Sequence, residues 1–155
     1  MPGWTQSSLG IELVVPVSNP EGTRELSLER YPRIHVILTN LTPAPLKIWK
    51  DWNTWGYFNL ILTWEAGGNT YLIRHKPPTD WDGDFPDFWL IPPGEKIILE
   101  VDMSDGNWIG FPDLYGETIE ARLTAIYENK RDILANEFGI WCGRVASASL
   151  PVMFK

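Results

Sequence analysis

The sequence predicts an all-β protein, an antiparallel β-sandwich of about seven to nine strands with two long loops. Apolar and polar residues alternate with a period of two in segment after segment. Thirteen prolines and thirteen glycines favour short strands and turns over long helices. The chain has 155 residues, of which 44% are hydrophobic, enough for one domain with its own core. We therefore expect a single domain over residues 1–155, with residues 1–10 as a loose N-terminal segment.

In the first half of the chain, we predict strands where apolar and polar residues alternate in segments bounded by turns. Ile11 and Leu13 begin the pattern, and after a turn at residues 19–22 the pair Leu26 and Leu28 is expected to extend the first strand. The strands predicted here cover residues 11–15, 34–38 and 46–48.

In the second half, the turn at residues 66–69 predicts a hairpin between two alternating segments. Pro93 followed by Gly94 suits a type II turn before the next strand. The longest alternation sets Leu123 on the core face and Thr124 on the outer face. The strands predicted here cover residues 58–64, 71–74, 97–101, 119–127 and 141–149, with 152–154 as a continuation, and a helix of one or two turns is expected around 132–138.

Two long loops interrupt this pattern of short strands and turns. The first covers residues 76–88 and is rich in proline and aspartate, and the second covers residues 104–116. Long loops within a compact domain often carry the function, so these segments are the first place to look for a site.

Charge and cysteine content exclude several functional classes. With 13 basic and 20 acidic residues the formal net charge is −7, and no cluster of Lys and Arg suits a phosphate backbone or an anionic membrane. No apolar run approaches the ~20 residues of a membrane span, so membrane insertion is not expected. Cys142 is the sole cysteine, which precludes an intramolecular disulfide and favours either a reducing compartment or a sandwich that does without the bridge. The first residues lack a signal peptide, so we expect a cytoplasmic location unless a signal was removed.

Aromatic residues provide the first candidate site. Trp49, Trp52 and Trp55 lie close together among polar residues, and Trp81 and Trp89 lie in and just after the first long loop. Exposed indole rings stack on sugars or anchor a protein partner. The alternative is that these rings close the end of the sandwich or pack between the sheets.

Carboxylates in the first long loop provide the second candidate. Asp80, Asp82, Asp84 and Asp87 are spaced so that several could converge on a hard cation such as calcium. Gly83, however, falls between Asp82 and Asp84, which is not its place in an EF-hand loop. An acidic loop with turn-forming aspartates is the alternative, so we expect no required cofactor and keep calcium as the metal to test.

Catalytic residues are hard to find. His35 and His75 are the two histidines, His35 is expected on an outer sheet face, and Cys142 is expected within a strand as a buried thiol. No nucleophile motif, metal-binding histidine pair or glycine-rich phosphate loop occurs in the sequence. We therefore expect no enzymatic activity.

The order of these elements resembles a known group of domains. The alternating segment 34–42, the turn at 93–95 before a strand, and the segments 122–127 and 141–145 resemble uncharacterised bacterial immunoglobulin-like domains. They are more loosely similar to the bacterial intracellular proteinase inhibitor family. The resemblance spans roughly residues 11 to 154 and implies an immunoglobulin-like sandwich. The tryptophan-rich stretch and the aspartate-rich loop depart from the inhibitor pattern, so no inhibitory residues are transferred.

Three functional hypotheses follow. The first is a binding or structural module for a protein partner, with its surface built at one end of the sandwich from residues 49–58 and 76–88. The second is a carbohydrate-binding module, which requires coplanar exposed tryptophans. The third is a proteinase inhibitor, which requires a protruding extended loop.

Overall fold

The computed structural model describes residues 8–17, 20–78, 85–112 and 118–155. Within these ranges the protein is all-β, with one short helix. The strands are β1 Leu9–Val14, β2 Glu25–Leu26, β3 Arg33–Asn40, β4 Leu46–Trp49, β5 Leu60–Ala66, β6 Asn69–His75, β7 Phe88–Ile91, β8 Lys96–Asp102, β9 Trp108–Ile109, β10 Ile119–Asn129, β11 Gly143–Ala146 and β12 Leu150–Phe154, and the helix is α1 Ile133–Phe138. None of the described helical residues forms a segment long and apolar enough to cross a membrane.

The smaller of the two main sheets has the strand order β1-β3-β8 and is antiparallel throughout. Its central strand, β3, shows that the period of two separates a buried face from an outward face. Ile34, Val36 and Leu38 are completely buried, while the residues between them face outward. His35 lies on this outer face, as predicted.

The larger sheet has the order β2-β12-β10-β5-β6-β9, and β11 pairs with one end of β10. All its pairs are antiparallel except β12 with β2, which is parallel. The long strand β10 lies between β5 and β12, and its Leu123 is opposite Trp64 on β5. Leu123 is completely buried and Thr124 lies on the outer face, as the alternation predicts.

One hydrophobic core joins the two sheets. Val36 and Leu99 from the smaller sheet belong to the same buried cluster as Leu62, Trp64 and Leu123 from the larger sheet. The inward faces of both sheets therefore pack against each other, which is the coarse arrangement of a β-sandwich.

A second, smaller cluster lies beside a separate two-stranded sheet formed by β4 and β7. Trp49, Ala135 and Ile140 are buried together in it. The helix α1 begins at Asp132, whose side chain accepts a hydrogen bond from Ala135 N at 2.7 Å, and the turn after it uses Gly139 at a φ of 70°.

Turn chemistry was predicted correctly at two places. Gly67 and Gly68 join β5 to β6 with positive φ angles. In the turn before β8, Gly94 has a φ of 77° and Glu95 N donates to Pro92 O at 3.0 Å.

The end of the chain differs from the prediction of one strand over residues 141–149. β11 and β12 are separate strands that pair with different parts of β10. Between them the hydroxyl of Ser147 accepts a hydrogen bond from Ala125 N at 2.9 Å, so a side chain replaces the partner strand's carbonyl.

Four further expectations were wrong in detail. Leu26 does not extend the first strand but lies in β2, opposite Phe154 of β12. Phe58 belongs to a turn before β5 and is exposed. Cys142 is half-buried and precedes β11 instead of lying within a strand. The second long loop contains β9, and its residues 113–117 are outside the described ranges.

Candidate functional site

The turns between β4 and β5 are organised by one buried amide. Asn53 has no solvent exposure, and its Oδ1 accepts hydrogen bonds from the backbone N–H groups of Trp55 and Gly56, each at 3.1 Å. Its Nδ2 donates to the carbonyl of Asp87 at 3.0 Å. Asn53 therefore fixes the local turn and connects it to the end of the first long loop.

Lys50 makes a second connection to the same loop. Its backbone N–H donates to Asp87 O at 3.0 Å, and its ammonium lies 3.0 Å from a carboxylate oxygen of Asp87. The hydrogen bond from the Lys50 side chain is the main reason that the pKa of Asp87 lies below its ordinary value. The turn is also tight, because a Cβ on Gly56 would overlap the carbonyl oxygen of Lys50.

These connections place two aromatic side chains in contact at the surface. Trp52 and Phe85 have ring centroids 4.9 Å apart and an interplanar angle of 67°, an edge-to-face pair. Trp52 is 43% exposed and Phe85 is 55% exposed. We call this pair the Trp52–Phe85 surface. The other large hydrophobic residues exposed in the described ranges, apart from Phe58, are aliphatic: Val17, Leu41, Leu72, Leu90, Ile98 and Ile133.

The structure gives the predicted tryptophans different positions. Trp49 is 1% exposed and packs against Trp55 and Phe138, so it belongs to the interior and presents no ring face to a ligand. Trp55 and Trp89 are half-buried, and Trp89 packs against the main core. Trp81 is outside the described residues. Among the tryptophans that the structure describes, only Trp52 is exposed.

Phe85 was missed by sequence reasoning, although a usable signal was present. Trp52 stands between Asp51 and Asn53, beside polar turn residues instead of within an alternating strand. Phe85 meets the same criterion, since it lies between Asp84 and Pro86 in the aspartate-rich loop.

The predicted calcium ligands fall mostly outside the described residues. Asp80, Asp82 and Asp84 are among the residues that are not described. Asp87 is described, and its carboxylate is engaged by Lys50 and by the backbone N–H of Phe88 at 2.9 Å. Within the described ranges, no three His, Cys, Asp or Glu side chains are grouped closely enough to hold a metal ion.

His75 lies between two aromatic rings. Its ring is stacked on Tyr57 with centroids 4.1 Å apart and on the other side contacts Trp108 at 3.8 Å. Its Nδ1–H donates to the carbonyl of Tyr57, and burial lowers the pKa of His75 against the opposing influence of Asp51 and Asp105. The Tyr57 hydroxyl donates to Lys76 O at 2.8 Å. The imidazole is thus held by stacking and a backbone hydrogen bond, an arrangement that supports packing more than proton transfer.

No protein-family model matches the chain, and no curated protein matches its sequence at a significant level.

Proposed function

We propose that this chain is a non-enzymatic binding module with an immunoglobulin-like fold, which recognises a protein partner through the Trp52–Phe85 surface. One observation carries the proposal. Two aromatic rings remain exposed and in contact with each other, whereas Trp49, three residues before Trp52, is buried and packs against the partly buried Phe138. An exposed aromatic pair is costly to hydrate, and binding surfaces are where such pairs are commonly found.

Strand pairing supports the immunoglobulin-like part of the proposal. In the constant-type form of that fold the first, second, fourth and fifth strands share one sheet, while the third, sixth and seventh share the other. In the described part of this chain no strand takes the fourth strand's place beside β8. Here β1, β3 and β8 share one sheet, and β5, β10 and β12 share the other, with β6 added beside β5. The chain departs from antibody domains in having one cysteine, so the bridge between sheets is absent.

Rigidity supports the binding part of the proposal. A surface that is ordered before binding loses less conformational entropy when a partner arrives. The hydrogen bonds of Asn53 and the ion pair of Lys50 with Asp87 hold Trp52 and Phe85 on two segments that are distant in sequence. Aromatic side chains add large contact area with few rotatable bonds.

The geometry favours a protein over a carbohydrate. Sugar rings stack on flat aromatic faces, whereas the rings of Trp52 and Phe85 are inclined by 67° and share no common face. Two inclined apolar rings are better suited to contact an apolar side chain of a protein segment. The net charge of −7 favours basic residues beside that side chain.

Selection from a random peptide library tests this function. Phage-displayed peptides are enriched on the immobilised protein, and their affinities are then measured for the wild type and for Trp52→Ala and Phe85→Ala. Leu72→Ala is the matched control, because Leu72 is 55% exposed on β6, the same fraction as Phe85.

We expect apolar peptides with basic neighbours whose affinity falls at least about tenfold in both aromatic variants, as for binding hot spots, and is unchanged in the control. Thermal unfolding should show that the aromatic variants remain folded. A failure to enrich any peptide, or peptides that bind Trp52→Ala as tightly as the wild type, would contradict the proposal.

A further inference from the structure

We propose that the free edge of β8 pairs with β8 of a second copy of this chain, antiparallel about a two-fold axis at Ile98. The pairing joins the two three-stranded sheets into one continuous sheet across a homodimer. This interface is separate from the Trp52–Phe85 surface and does not depend on it.

The direction of the backbone groups in β8 identifies the free edge. Met103 N donates to Pro32 O at 2.8 Å, and Asn40 N donates to Glu95 O at 3.0 Å. In an antiparallel pair such bonds occur at every second residue, so the odd-numbered residues of β8 bond to β3. The N–H and C=O groups of Lys96, Ile98 and Glu100 therefore point away from β3.

Within the described part of the chain, nothing bonds to that edge. β8 is the last strand in the order β1-β3-β8, and its only strand partner is β3. Ile98 is 66% exposed on the outer face, and the side chain of Glu100 is 49% exposed. A regular seven-residue strand with a free edge is a ready template for another strand.

The charge pattern identifies the second strand as another β8. An antiparallel pair centred on Ile98 places residues at equal distances from it opposite each other. Lys96 of each copy then faces Glu100 of the other copy, and Ile98 faces Ile98. In this register the free N–H and C=O groups of Lys96, Ile98 and Glu100 in one copy face those of the other copy, because all three are even-numbered residues whose backbone groups point away from β3.

Neighbouring registers are less favourable. Centring the pair on Lys96 places two ammonium groups opposite each other, and centring it on Glu100 does the same with two carboxylates. Centring it on Ile97 or on Leu99 places Ile98 opposite Lys96 or Glu100, and the Lys96–Asp102 pair that the Leu99 register adds involves a carboxylate only 17% exposed. On the β3 side, Glu100 already contacts the guanidinium of Arg33 at 3.1 Å. Lys96 of the second copy would approach from the other side, so the carboxylate would lie between two cations.

Sedimentation velocity over a range of concentrations measures the dimer directly. We expect Lys96→Glu to weaken dimerisation at least about tenfold, because two opposite-charge pairs become like-charge pairs. Lys130→Glu is the matched control, since Lys130 is exposed and lies outside β8, and it should leave the dimer unchanged. Ile98→Pro removes the central edge N–H without removing a bond to β3, and it should also weaken the dimer.

A charge exchange tests the register. Lys96→Glu alone and Glu100→Lys alone should each dimerise poorly, while an equal mixture of the two should form a heterodimer. In the wild type, hydrogen exchange at the Ile98 and Glu100 amides should slow as concentration rises. A protein that stays monomeric into the millimolar range, a dimer unaffected by Lys96→Glu, or a mixture that does not associate would overturn the proposal.

Discussion

At the residue scale, Asn53 explains how an exposed aromatic pair can be held in place. Its side chain is fully buried, yet each polar atom has a backbone partner on either the β4–β5 turn or the loop before β7. A buried amide is tolerated because these bonds replace its hydration. Replacing the Asn53 side chain should therefore lower the free energy of unfolding.

Asn53→Ala is expected to lower the free energy of unfolding by about 1–3 kcal/mol, because it removes three hydrogen bonds of a fully buried side chain. Asp87 O keeps its bond from Lys50 N and Gly56 N keeps its bond to Asn53 O, so the Trp55 N–H is the group that loses its acceptor. Asn69→Ala, at an exposed position next to the β5–β6 turn, should change it by less than about 0.5 kcal/mol. Urea denaturation measures both. Similar values for the two variants would mean that Asn53 does not hold the turn.

His75 gives the protein a stability that depends on pH. Because burial holds the pKa of His75 below its ordinary value of 6.5, the unfolded chain binds a proton more readily than the folded one. The free energy of unfolding should therefore fall as the pH drops from above 6.5 through the lowered pKa. The carboxyls of Asp87 and Asp102 have pKa values below 3.8, so their contributions are lost only in more acidic solution.

His75→Phe keeps a ring between Tyr57 and Trp108 but removes the titrating group. Urea denaturation at pH values on both sides of 6.5 should show that this variant loses less of its stability on acidification than the wild type. An equal loss in the two proteins would assign the effect to other groups.

At the element scale, the strands with clear alternation were predicted from sequence, whereas most pairings were not. Alternation records which face of a strand is buried, and it predicted β3, β8 and β10 well. The alternation does not indicate which other strand pairs with a given strand. The parallel pair of β2 with β12 and the pair of β4 with β7 depend on contacts between distant segments, so the sequence pattern could not reveal them.

Two adjacent residues of β10 test the predicted alternation. Leu123→Ala should lower the free energy of unfolding by about 2–5 kcal/mol, because Leu123 is completely buried against the other sheet. Thr124→Ala should cost less than about 1 kcal/mol, because its hydroxyl lies on the outer face and contacts Ser149 at an exposed position. Equal costs in urea denaturation would show that both faces of β10 are buried.

At the scale of the whole molecule, the Trp52–Phe85 surface was only partly predictable from the sequence. The sequence made both Trp49 and Trp52 candidates, but Trp49 is interior and Trp52 is exposed. Between β4 and β5 the chain has no regular period, so burial there is decided by the hydrogen bonds of Asn53 and by packing against α1. Phe85 joins Trp52 because the loop before β7 is attached to the same turn. A contact across such a distance in sequence is a property of the complete fold.

Fluorine NMR of protein labelled with fluorotryptophan tests the central claim, that Trp52 is part of an exposed binding surface. Trp52→Phe assigns its resonance by removing it. We expect the Trp52 resonance to show a solvent isotope shift and to move when a selected peptide is added, while the resonances of the buried Trp49 and Trp64 stay in place. A Trp52 resonance that is insensitive to both solvent and peptide would contradict the account.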